Sequence, residues 1–217
     1  MVDWSEVDTV LLDMDGTLID LHFDNFLWNQ RLPEVFAATR DIGVAAARDQ
    51  LYAHMRGKPR SLDFYCLDYW TRYARLDIVE LHRELAHLIS YRANASRFVR
   101  AVRASGRRAV LVTNAHPKNL AVKDARLDLT AELDAHYSAH AFGYPKQYRE
   151  FWSALTERDP YDPSRTLFID DDTGVLEAAG ENGIEQVLCV AQPDSRAPKR
   201  SALPFPALGN FEEIMPS

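Results

Sequence analysis

The chain is 217 residues long and 47% hydrophobic, with a formal charge of −7. That length suits a core domain carrying a smaller insertion, and the apolar share can bury a sizeable core. A net acidic surface excludes attraction of nucleic-acid polymers or anionic lipid through a general positive field, so an anionic substrate has to be held by local positive charge or a metal.

The segment Met1-Val2-Asp3-Trp4-Ser5-Glu6 is acidic and lacks the basic start and apolar run of a signal peptide. No apolar stretch approaches the about 20 residues needed to span a bilayer. The expectation is a soluble, cytoplasmic protein with no membrane partner; oligomeric state is left open. Cys66 and Cys189 sit in apolar or aromatic surroundings and read as two buried free thiols rather than a disulfide.

Val7 to Leu12 is an apolar, β-branched run ending in the polar turn Asp13-Met14-Asp15-Gly16-Thr17, the pattern of a buried strand and its loop. From about Asp24 to Tyr91 the character changes. Leu, Ala, Arg, Tyr and Trp recur at helical spacing, punctuated by Gly43, Gly57-Lys58-Pro59 and Asp77. This predicts three or four amphipathic helices, one capped by Ser61 and running through Phe64, Leu67 and Tyr69-Trp70.

Beyond Asn94 helices and strands alternate. A helix through Phe98, Val99 and Val102 stops at Gly106, and the strand Ala109–Val112 closes in Thr113-Asn114-Ala115-His116-Pro117. A helix to about Leu127 and an extended piece near Tyr137-Ser138 follow. The loop Gly143-Tyr144-Pro145-Lys146 leads into a helix with Phe151, Trp152 and Leu155. The strand Thr166–Ile169 ends in Asp170-Asp171-Asp172, a helix continues to Gly183, and Gln186 to Val190 is a last strand. The proline-rich tail from Gln192 reads as an irregular surface segment anchored by Phe211 and Ile214.

Strands alternating with helices define an α/β fold, a Rossmann-like parallel sheet with helices on both faces. The helical block interrupts it directly after the first loop. The expected division is a core of residues 1–20 and 93–217 with an inserted helical unit of residues 21–92.

Ligands in open α/β sheets bind beyond the carboxyl ends of the strands. That rule gathers Asp13, Asp15, Thr113, Asp170 and Asp171 at one edge, with Lys146 on a loop that reaches it. Several carboxylates together repel unless a cation joins them, and oxygen-only ligands suit Mg²⁺, with Mn²⁺ as a substitute. Beside such a metal, Lys146 and Thr113 suit a phosphoryl group, and the backbone N–H groups of Asn114 and Ala115 add donors before a helix start. Asp13 and Asp15, one residue apart on a turn, point the same way, so one can attack while the other moves a proton.

These residues resemble the signatures of haloacid dehalogenase superfamily phosphatases. Asp13-Met14-Asp15-Gly16-Thr17 is similar to the first, Thr113 to the second, Lys146 to the third and Asp170-Asp171 to the fourth, in family order. The resemblance implies that residues 21–92 are a cap, that Asp13 is the nucleophile, and that Asp15 is the acid and base. It further implies that Asp13, Asp171 and the Asp15 backbone carbonyl bind Mg²⁺, with Asp170 direct or through water, while Thr113 and Lys146 hold phosphoryl oxygens and Lys146 also braces a carboxylate. Leu12–Leu18, Tyr65–Trp70, Thr113–Pro117, Phe142–Lys146 and Leu167–Asp171 also resemble segments of bacterial GMP/IMP 5′-nucleotidases. The implied substrate is a small phosphate monoester, a purine nucleoside monophosphate. Asp172 departs from that pattern, where serine is common, and a helix N-cap is its simplest role.

The alternatives are a phosphoglycolate or sugar-phosphate phosphatase, which shares every catalytic residue and differs only in the cap, and a non-catalytic phosphate-binding module. A pure binder has no need of both Asp13 and Asp15. His116 reads as a solvated loop residue or a substrate contact. The aromatic run Phe64 to Trp70 reads as cap core before base-stacking surface, and His22, Asp24 and Asn25 are placed by chain position in the cleft between cap and core.

Overall fold

The structure, a computed structural model, describes residues 2–58 and 61–216. Five strands carry the architecture: β1 (Thr9–Leu12), β2 (Arg108–Thr113), β3 (Ala135–Ser138), β4 (Thr166–Asp170) and β5 (Gln186–Val190). A two-residue β6 (Ala207–Leu208) joins them, and the order is β3-β2-β1-β4-β5-β6. Every pairing is parallel. The tail is therefore not wholly irregular: Cys189 N–H bonds to Pro206 and Ala191 N–H to Leu208, which adds the sixth strand. Phe211 and Ile214 are buried as expected.

Alternation along the central strands separates two cores. Val10, Leu12, Leu111, Leu167 and Ile169 face one side, against Phe98, Val99 and Val102 of α7 (Ala95–Ala104). Leu11, Val110, Val112 and Phe168 face the other, against Phe151, Trp152 and Leu155 of α9 (Arg149–Arg158) and Val175 and Leu176 of α10 (Thr173–Glu181). Such two-sided burial is what a parallel sheet requires.

The segment between β1 and α7 is helical and has its own core of Leu32, Phe36, Leu51, Leu67, Trp70 and Ile78. It is more finely divided than the spacing predicts. α1 (His22–Phe26), a π-helical turn (Leu27–Arg31) and α2 (Leu32–Arg40) run on without a break. Then come α3 (Val44–Arg56), α4 (Leu62–Tyr65), α5 (Leu67–Ala74) and α6 (Ile78–Glu84). Gly43 and Asp77 precede helices and Gly57 ends one; Pro59 lies outside the described residues. The helix expected from Ser61 through Trp70 is two helices. Cys66 leaves helical geometry at φ −83° and ψ 109°, and its Sγ caps α5 by accepting from Tyr69 N–H. Ser61 makes no capping bond, and its hydroxyl donates to the Lys58 carbonyl.

The two connections of this block run side by side. Ile19 pairs antiparallel with Tyr91, Asp20 N–H donates to Ser90 over 3.0 Å, and Arg92 N–H donates to Leu18 over 2.9 Å. Among the described residues, no helix is long and apolar enough to cross a membrane.

Candidate active site

β1 sits at the reversal of strand order, with β2 on one side and β4 on the other. The crevice beyond such a switch point is where open α/β sheets bind ligands. Asp13 follows β1, Thr113 ends β2 and Asp170 ends β4, so three chain segments deliver polar residues to one place. Oxygens of Asp13, Asp170 and Asp171 lie within 4.8 Å of one another. Gly16 makes this approach feasible: at φ +86° it takes a turn that side chains resist, and a Cβ there would meet the Asp171 carboxylate at 2.8 Å.

Lys146 is buried at the centre. Its Nζ donates to Asp13 Oδ1 (2.5 Å), Asp170 Oδ2 (2.7 Å) and the Val112 carbonyl (3.0 Å). The loop that carries it is fixed at both backbone groups: Lys146 N–H donates to Asn114 Oδ1 (2.8 Å) and the Trp152 indole donates to the Lys146 carbonyl (2.7 Å). Burial alone would lower the Lys146 ammonium, but Asp13 and Asp170 outweigh it and hold it well above its ordinary value.

The carboxylates move the other way. Burial pushes Asp13 up to about 7, with Asp170 and Asp15 adding to the rise and Lys146 opposing it. Burial likewise raises Asp170 and Asp171, the latter also through Asp170 and Asp13. Three carboxylates against one ammonium leave two formal negative charges on oxygen-only ligands. A hard dication such as Mg²⁺ fits that set.

Asp15 lines the same cavity but faces a second buried lysine. Lys123, on α8 (Pro117–Leu127), donates to Asp15 Oδ1 (2.5 Å) and to both oxygens of Asp24 (2.9 and 2.8 Å) on α1. Burial lifts Asp15 to about 6, with Asp24 adding and Lys123 opposing. Sequence reasoning missed Lys123. The signal was there: it is three residues after Leu120 and four after Asn119, on the buried face of its helix.

The cavity has a volume of about 430 Å³. Besides the acidic residues it is lined by Thr113, Asn114, Ala115 and Lys146 from the core, and by Trp28, Asn29, Phe64 and Tyr65 from the helical block. Asp24 and Asn25 line it as expected; His22 does not, because its ring turns to Asp194 at 3.8 Å. The aromatic run divides, with Trp70 wholly buried in the block and Phe64 and Tyr65 facing the cavity. His116 is absent from the lining and packs instead on His140 and near Asp68. A larger, more open groove of about 1020 Å³ lies between α5, α6 and α8 and contains none of the site carboxylates.

Other predicted residues play further local parts. Thr113 Oγ1 accepts from Ala115 N–H (3.0 Å), and the Asn114 side chain, expected only to lend its N–H, ties Lys146 to Gln147. Gln147, another residue missed, donates to Tyr65 OH (3.2 Å) and to Asp172 (3.1 Å), linking core and helical block. Asp172 is the N-cap of α10, accepting from Gly174 N–H at 2.8 Å. Both cysteines are free; Cys189 is buried, whereas Cys66 is only half-buried because it sits where α4 and α5 part.

The strand-end carboxylates, the central lysine and the inserted helical block are the marks of one hydrolase family. The chain belongs to the haloacid dehalogenase-like hydrolases, matching that family over residues 7–183. It is 40% identical to the GMP/IMP nucleotidase YrfG of Escherichia coli (strain K12), across 100% of this chain and 97% of that one, and equally so to the protein of that name from Shigella flexneri. In fold it is similar to the crystal structure of a HAD phosphatase from Thermococcus onnurineus, with a TM-score of 0.78, 16% identity and 96% of each chain covered.

Proposed function

We propose that the protein is a Mg²⁺-dependent phosphomonoester hydrolase, a 5′-nucleotidase for GMP and IMP, that works through an aspartyl-phosphate on Asp13. The observation that carries this reading is the pairing of Asp13 with Lys146 and the Asp170-Asp171 carboxylates in the lining of a cavity that also holds Asp15.

Asp13 attacks phosphorus and the ester oxygen leaves with a proton from Asp15. Water then attacks the aspartyl-phosphate, returning its proton to Asp15 and freeing Asp13 and inorganic phosphate. An acid near pKa 6 suits both transfers around neutral pH. Lys146 neutralises phosphoryl charge, the Thr113 hydroxyl and the Asn114 N–H donate to its oxygens, the Ala115 N–H joins them by exchanging the Thr113 Oγ1 it meets at 3.0 Å for a phosphoryl oxygen, and water is shut out beneath the helical block. Mg²⁺, held by Asp13, Asp170, Asp171 and the Asp15 carbonyl, would supply the remaining positive charge, and Mn²⁺ would serve in its place.

The helical block, residues 21–92, acts as the cap that chooses the leaving group. The nucleotidase relative, alike over the full chain, supports a purine nucleoside monophosphate. So does the cavity, which offers aromatic faces at Trp28, Phe64 and Tyr65 and amides at Asn25, Asn29 and Asn119. A soluble cytoplasmic setting accords with such a substrate.

The test is phosphate release in excess Mg²⁺ from GMP, IMP, AMP, pyrimidine monophosphates, phosphoglycolate and sugar phosphates, beside Asp13→Asn. Selective turnover of GMP and IMP, lost in the variant and in EDTA, is the expected result. Preference for a non-nucleotide would overturn the substrate, and full activity in Asp13→Asn would overturn the mechanism.

A further inference from the structure

A second cluster of ligating side chains, built from softer donors than the carboxylates, takes no part in this chemistry. Cys66, His116 and His140 each present one ligand atom, and the three atoms lie within 4.8 Å of one another. They come from separate parts of the chain. Cys66 stands between α4 and α5, His116 is the N-cap of α8, and His140 lies in the turn Ala139–Ala141 after β3. The two imidazoles meet edge to face, with ring centroids 4.9 Å apart.

Two features mark the cluster as a binding site rather than ordinary packing. His140 Nε2 is buried and has no hydrogen-bond partner among the described residues. A buried polar atom left unpaired is destabilising, and coordination of a metal would satisfy its lone pair. His116 Nδ1 accepts the Lys118 N–H at 3.3 Å, so a metal would take His116 through Nε2, with the ring proton moving to Nδ1 and the Lys118 N–H released. Finally, Cys66 Sγ accepts the Tyr69 N–H at 3.4 Å, which orients the sulfur and remains compatible with a thiolate.

We propose that Cys66, His116 and His140 form a zinc site that joins the helical block to the α/β core. One thiolate and two imidazoles suit Zn²⁺ in tetrahedral geometry and do not suit Mg²⁺, which prefers oxygen. Three protein ligands leave a fourth position for water. Asp68 borders the site, 3.8 Å from His116 Nε2, and is engaged by Lys118 at 2.6 Å. Binding releases the Cys66 thiol proton to solvent and involves no change of oxidation state. Because Cys66 belongs to the helical block and both histidines to the core, the ion fastens the two together in the arrangement described here.

The experiment uses Co²⁺ as a spectroscopic probe on the full chain, with Mg²⁺ in excess to occupy the carboxylate edge. The expected result is one equivalent of Co²⁺ with a near-ultraviolet thiolate-to-metal band and tetrahedral visible bands, all displaced by Zn²⁺. Cys66→Ser abolishes the near-ultraviolet band, Cys189→Ser keeps it, and His140→Gln weakens Zn²⁺ binding at least about 10-fold in chelator competition. Zn²⁺ also raises the thermal midpoint of the parent protein and not of Cys66→Ser. Circular dichroism of each variant separates loss of the site from loss of the fold. A folded parent protein that gives no thiolate band, or zinc binding unchanged in folded Cys66→Ser and His140→Gln, overturns the proposal.

Discussion

Two buried lysines use the same electrostatic device in different places. Lys146 lies between Asp13 and Asp170, both at strand ends of the core. Lys123 lies between Asp15 and Asp24, and Asp24 belongs to the first helix of the inserted block. An ammonium between two carboxylates is stable only while both partners stay in place. Within the core that condition gives rigidity; between core and block it makes Asp15, the acid and base of the proposed mechanism, sensitive to where the block sits.

Lys146→Met should have the largest effect. It leaves Asp13 and Asp170 unneutralised, so kcat/KM should fall by at least about 10³-fold, judged by phosphate release under saturating Mg²⁺. Without metal, the same variant should lose about 3–5 kcal/mol of stability in urea unfolding, and Mg²⁺ should restore more of it than in the parent protein. Equal stability with and without Mg²⁺ would place the ion elsewhere.

Lys123→Met should be milder and different in kind. Asp13 keeps its partners, so the expected loss is about 10²-fold, in kcat more than in KM. Removing the ammonium that opposes the rise in Asp15 should move the pH profile of kcat to the alkaline side. Adding Asp24→Asn should reverse part of that displacement, because Asp24 raises Asp15. A profile that does not move would reduce Lys123 to packing.

The smallest effect concerns a third buried base, which stays neutral. His82 on α6 donates from Nδ1 to the Ile78 carbonyl over 2.7 Å, with rings of Phe23 and Trp28 edge-on beside it. Burial pushes it down to about 4, from 6.5. Between those values the unfolded chain binds the extra proton, so stability rises with pH there. His82 thus contributes full stability above about pH 6.5 and loses it as pH falls toward 4. Urea midpoints at pH 7.5 and 5 should converge in His82→Gln relative to the parent protein; parallel slopes would show the imidazole to be already protonated.

Much of this site is legible in the residues themselves. Asp13, Thr113 and Asp170 each end an apolar run, and strand-end position is local information. Lys146 was readable only through its place in an ordered set, since nothing near it in sequence reveals that Asn114 and Trp152 fix its backbone. The buried helix face of Lys123 was legible but its pairing with Asp15, 108 residues away, was not, and neither was the contact of Gln147 with Tyr65, 82 residues away. The break at Cys66 and the added strand Ala207–Leu208 escaped for a related reason. One depends on a sulfur replacing a hydroxyl as cap, the other on the free edge of β5 accepting a partner.

The bridge between Ile19 and Tyr91 has a consequence for how such a chain is assembled and altered. The inserted helices depart and return at neighbouring hydrogen-bonded points, so the sheet meets them as it would a long hairpin. Closing a longer or shorter excursion across that same gap costs little, since each doubling of length adds only about 0.6 kcal/mol of closure entropy. The seam works as a splice site: another helical insert can be grafted between Asp20 and Ser90 while the strand-end carboxylates keep their places.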